Sequence, residues 1–148
     1  VSSQSLGVEQ QALVDALNAE YAAVFGYGVV AAFSNPARAA EVSADTAAHR
    51  ARRDATTDAL RAAAVTPPTA AAGYTTPFPV TDPVSAAQLA VQIETDVAVA
   101  WRSVVERARS EHTRGAAIEA LTESAMRAAR WRANLGIAPP SVALPGQP

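Results

Sequence analysis

A chain of 148 residues is long enough for one domain with a core of its own, and a net charge of −2 gives it no general attraction to nucleic acid. It has no cysteine, which excludes a disulfide framework, a thiolate metal site and a cysteine nucleophile. Apolar residues make up 49% of it, but alanine alone fills about a quarter. Alanine favours helix and buries little surface per residue, so a core built from it needs helices in close approach.

All twelve basic residues are arginine. The N-terminus, Val1 to Gly7, is polar and lacks the apolar core and basic flank of a secretory signal. The uncharged apolar run Tyr21 to Phe33 is too short to span a bilayer. These features lead to the expectation of a cytoplasmic protein with no membrane or nucleic-acid partner.

Helix 1 is expected over residues 8–33. Leu13, Leu17, Val24, Tyr27 and Ala31 share one face at about 100° per residue, and Gln11, Asp15 and Asn18 lie opposite. Ser34-Asn35-Pro36 is a tight turn in which Asn35 suits an N-cap and Pro36 a first helical residue. Helix 2 is expected over 36–64, antiparallel to helix 1. Its alanines (Ala40, Ala44, Ala47, Ala48, Ala51, Ala55) look like its packing face, with His49 and Arg53 at the margin.

Residues 65–82 hold four prolines and a glycine and cannot be helical. A structureless loop of this length needs a reason. Extended, it reaches up to about 60 Å, whereas the helices span about 40 Å. It can therefore run the length of a bundle and start helix 3 at the same end as helix 2. Tyr74 and Phe78 are expected to pin it to the bundle.

Helix 3 is expected over 83–109, opening on Asp82-Pro83. Ala87, Ala90, Val97, Trp101, Val104 and Ala108 make its apolar stripe. Helix 4 is expected over 115–135, with Gly136 just past its end. The Pro-rich tail, residues 136–148, is expected to be extended or disordered, with Ile137 packing at the bundle end. The result is one all-α four-helix domain over residues 8–135.

Two glutamates stand where apolar residues belong: Glu20 in the stripe of helix 1 and Glu94 in that of helix 3. A buried, unpaired carboxylate is costly, so each needs a partner, a raised pKa or a bound cation. His49 and Arg53 are the candidate partners. Together with Glu20 and Glu94 they form an expected polar core cluster. Glu123 and Arg127 have the i,i+4 spacing of a solvated ion-pair face, and Trp131 reads as helix-end packing. No nucleophile elbow and no Gly-rich phosphate loop is present.

The segments ALNAEYAAVFGYG, AAHRARRD, LAVQIETDVAVAW and ESAMRAARWR, one from each helix, resemble an actinobacterial, alanine-rich, ferritin-like family of uncharacterised function. The resemblance implies an up-down-down-up bundle with the long crossover between helices 2 and 3. Ferritin-like di-iron proteins use one Glu from each of two helices and a Glu-x-x-His from each of the other two. Glu20 and Glu94 match the single glutamates, and His49 could match one histidine. Thr46 stands where a Glu is wanted, and Met126 where a His is wanted.

The expected reading is a non-enzymatic bundle with a degenerate di-metal site, no required cofactor and a homodimeric state suggested by its small-residue helix faces. The alternatives are an iron- or manganese-dependent protein or oxidase using Glu20, His49 and Glu94, and a small-molecule binder with a core pocket near Tyr21, Tyr27 and Trp101.

Overall fold

The computed structural model describes residues 5–148, so the first part of the polar start, residues 1–4, lies outside the described residues. Among the described residues four long helices follow in order: α1 (Val8–Phe33), α2 (Ala39–Ala62), α3 (Pro83–Arg107) and α4 (Glu111–Asn134), with a 3-10 turn at Pro36–Arg38. No strand occurs among the described residues. α1 has the expected bounds. Helix 2 starts three residues late because Asn35, whose side chain accepts from the Ala37 N–H at 2.9 Å, caps the 3-10 turn instead.

α3 opens on a capping box. Asp82 accepts from the Ser85 N–H at 2.7 Å, and the Ser85 hydroxyl receives the Asp82 N–H at 3.1 Å. The Ser85 N–H and the Ser85 hydroxyl, which also donates to Asp82 Oδ1 at 2.8 Å, hold the exposed Asp82 carboxyl below its usual range. α4 begins four residues earlier than the expected 115. Ser110 accepts from the Thr113 N–H and caps it, so His112 lies exposed in the first helical turn.

α2 and α4 end alike. Val65 N–H reaches Leu60 O at 2.9 Å and Ile137 N–H reaches Arg132 O at 3.0 Å, the long bond of a Schellman cap. Gly136 takes the required positive φ of 74° without strain, whereas at the end of α2 the same place is filled by Ala64 at φ 60°.

The buried face of α2 is Val42, Asp45, His49, Thr56 and Leu60. The expected alanine face is corrected by this: Ala40, Ala44, Ala47, Ala51 and Ala55 are exposed. Hydropathy favours the alanines, but the larger side chains of the opposite stripe fill the space between helices, with the polar ones satisfied there. α1 packs on both α2 and α3, and α3 packs on α4. At the α1–α3 contact Gly26 admits Ile93, whose Cδ1 stands 2.6 Å from where a Cβ would be. By length and apolarity alone α1 could cross a membrane, but here it carries the buried Glu20 into the core.

The connection over residues 63–82 lies along the bundle. Tyr21 donates to Pro68 O at 3.1 Å, Tyr74 packs on Phe25 with ring centroids 5.3 Å apart, and Val65, Phe78 and Val80 pack against the core. The tail beyond α4 is not free either. Arg102 donates to Pro145 O and Arg132 to Pro140 O, both at 3.4 Å, and Gly146 lodges against Ala98 of α3. Ile137, expected to pack, is exposed.

Candidate functional site

The polar centre of the bundle is built around His49. Its Nδ1 lies 2.7 Å from Glu20 Oε2 and its Nε2 lies 2.8 Å from Glu94 Oε1. All three side chains are fully buried. Each ring nitrogen faces an acceptor-only carboxylate, so both carry protons and the ring is an imidazolium. Burial pulls the His49 pKa down, but the hydrogen bonds to Glu20 and Glu94 and the charges of both carboxylates outweigh it, and the result is pushed up to about 9.

The other donors close the shell. Glu20 Oε1 accepts from the Trp101 indole N–H at 2.8 Å. Glu94 Oε1 accepts from the Tyr27 hydroxyl at 2.6 Å and from Arg127 Nε at 3.0 Å, as well as from His49. Burial alone would raise the Glu94 pKa. The His49 hydrogen bond and charge, the Arg127 charge and the Tyr27 hydroxyl overcome that and hold it below the carboxylate range. Arg127 is pushed the opposite way: desolvation lowers it, and Glu94 more than offsets this. Tyr27 is raised well above its ordinary value by burial and then by the Glu94 and Asp45 charges, so its hydroxyl stays protonated.

A second carboxylate layer sits one turn away. Asp45 Oδ2 accepts from the Trp131 indole N–H at 3.0 Å and stands 3.3 Å from the Tyr27 hydroxyl, while its Oδ1 accepts from Arg130 at 2.9 Å. The charges balance: Glu20, Glu94 and Asp45 against His49, Arg127 and Arg130.

Arg53 does not join this cluster. Its guanidinium bonds Asp54 at 2.8 Å and is 30% exposed, because its Cα lies off the buried stripe of α2. Arg127 supplies the charge instead. The expectation that Arg127 belongs to a solvated face is corrected with it: its stem spans the margin of α4 and brings Nε to Glu94, while the contact with Glu123 is a loose 4.0 Å. Glu123 pairs with Arg52 at 2.8 Å. Asp45, Arg127 and Arg130 are members of the cluster that sequence reasoning missed. The stripe spacing Val42, Asp45, His49 was a usable signal for Asp45.

A two-metal centre does not fit these side chains. A metal–imidazole bond needs a ring-nitrogen lone pair, and both His49 nitrogens are occupied by carboxylates. The Thr46 hydroxyl donates to Val42 O of its own helix at 2.7 Å, and Met126 is 64% exposed. Among the described residues no group of three His, Cys, Asp or Glu side chains is arranged to hold a metal ion.

Fold and site together define the class: an all-α four-helix protein whose apolar core encloses an internally neutralised ionic cluster. The chain belongs to the family described as a domain of unknown function, DUF4439, which it matches over residues 12–148. It is similar to the crystal structure of a conserved hypothetical protein, Rv2844, from Mycobacterium tuberculosis, at 46% identity and a TM-score of 0.84, over 88% of this chain and 99% of that one. Among curated proteins none matches it significantly.

Proposed function

We propose that this is a ferritin-like bundle, up-down-down-up, in which the protein's own cations take the place of a two-metal centre, and that it works as a non-enzymatic structural or interaction module. The observation that carries the reading is His49, clamped at both ring nitrogens between Glu20 and Glu94. An imidazolium cannot ligate a metal, and the two glutamates that would bridge metals bridge it instead.

The side-chain pairings support the topology. Glu20 meets His49 while Tyr27 meets Asp45, so α1 and α2 run oppositely. Glu20 meets Trp101 while Tyr27 meets Glu94, which reverses α3 against α1 and leaves α2 and α3 parallel. Asp45 meets Trp131 while Arg52 meets Glu123, which reverses α4 against α2. The exposed alanine face of α2 supports a homodimer formed by close helix packing.

Elemental analysis tests the core reading. Protein purified without chelator, then offered iron and manganese and desalted, is expected to carry far less than one metal per chain. Stoichiometric metal that disappears in a Glu20→Gln, Glu94→Gln double variant would overturn it in favour of a metal-binding protein or oxidase. Sedimentation at several concentrations tests the dimer, and a monomer throughout removes it.

A further inference from the structure

One atom of the core is left over. Glu94 Oε1 receives Tyr27, His49 and Arg127, but Glu94 Oε2 is buried and has no partner. A buried carboxylate oxygen without a donor loses hydration and gains nothing in return. Glu94 also lines a cavity of about 350 Å³ between α3, α4 and the docked C-terminal tail. Its walls include Ala98, Ala128 and Leu144, and Thr95 and Arg132 supply the other polar groups. The cavity is thus a partly open, mainly apolar pocket with an unsatisfied acceptor on a buried residue of its wall, and a small shift of that wall gives the arrangement of a small-molecule site.

We infer that this cavity binds a small, mainly apolar, neutral molecule that donates one O–H to Glu94 Oε2. The inference rests on the reading above, in that protein cations and not a metal hold Glu94. It also selects the charge of the ligand. The Glu94 charge is already matched by His49 and Arg127, and Arg132 lines the same cavity, so a cation gains little there while a neutral hydroxyl gains a charge-assisted hydrogen bond. The tail is the outer wall. Gly146 sits at φ 77° with its Cα so close to α3 that a Cβ would lie 2.6 Å from Ala98 O, and Arg102 holds Pro145 O. The pocket is partly open to solvent, and because Val142 to Gln147 supply one side of it, ligand binding is coupled to docking of the tail.

The probe is benzyl alcohol, compared with benzyl methyl ether and benzylamine, in ligand-observed NMR on the full chain. The alcohol is expected to bind about ten-fold or more tightly than the ether, which lacks the donor, and more tightly than the ammonium. Ala125→Leu, which fills the cavity from a half-buried position away from the ionic cluster, is expected to abolish binding with the melting temperature kept. Gly146→Ala is expected to speed exchange of the ligand. Equal binding of alcohol and ether, tighter binding of the ammonium, unchanged binding in Ala125→Leu, or no binding at all to the unmodified protein each overturns the inference. Metal analysis of the same samples separates the two failures. Bound metal removes the proposed core reading, whereas metal-free protein that fails to discriminate the alcohol removes the cavity inference alone.

Discussion

Raising the pH should destabilise this protein over a window that its own histidine sets. His49 has its pKa pushed from 6.5 to about 9 on folding. The folded state holds that proton more tightly than the unfolded chain does. The contribution is therefore complete below pH 6.5 and is lost as the pH rises towards about 9. Each tenfold gain in proton affinity is worth about 1.4 kcal/mol, so the amount at stake is about 3 kcal/mol. That is a large fraction of the roughly 5–15 kcal/mol that holds a domain folded, and it corresponds to a fall in melting temperature of about 10 °C in a chain of this size. Glu94 works in the other direction. Its lowered pKa gives stability that is present above the usual carboxylate range and lost in acid. Tyr27 is raised out of the window and does not contribute. Urea unfolding at half-unit steps from about pH 5.5 to 9.5 should show a plateau and then a decline beginning near pH 6.5. In His49→Gln the decline should vanish while the overall stability drops by about 3–5 kcal/mol, since two carboxylates lose their cation. A flat wild-type curve from pH 6.5 to about 9, or a decline that persists in His49→Gln, would refute the imidazolium assignment.

Tyr27→Phe removes a donor to the buried Glu94 and should cost about 1–3 kcal/mol by urea unfolding. Arg127→Met should cost several kcal/mol because it strips a cation from Glu94, whereas Arg53→Ala should lie within about 0.5 kcal/mol of the parent. If the two arginine variants behave alike, the assignment of the core cation is wrong. Ala64→Gly should stabilise the protein by up to about 1 kcal/mol, since Ala64 closes α2 at φ 60°; thermal unfolding reads this directly. Gly26→Val should destabilise by about 1–3 kcal/mol through its clash with Ile93, with partial recovery in combination with Ile93→Val. Additive losses in that pair would contradict the α1–α3 contact.

Both ionic positions in the apolar stripes were legible because helical period is a local property. Glu20 and Glu94 fall in register with Leu13, Leu17, Val97 and Trp101, and burial follows from the register. α2 was harder. Its buried stripe contains Asp45, His49 and Thr56, residues that hydropathy assigns to solvent, and its alanines face outward. Nothing local distinguishes a polar stripe that finds partners from one that meets water. The partners lie on α1, α3 and α4, tens of residues away.

The amino-acid sequence by itself determined the four helices, the Asp82 cap of α3, the long non-helical connection and the two misplaced carboxylates, because capping, proline geometry and periodicity act over a few residues. The tertiary structure decided what those carboxylates meet. It turned Arg53 outward and Arg127 inward, put His49 between Glu20 and Glu94, brought Asp45 to Trp131 and folded the tail onto α3. These are choices between chemically similar side chains, and what separates them is the desolvation and pairing energy of each group. That energy exists only when the helices are already side by side.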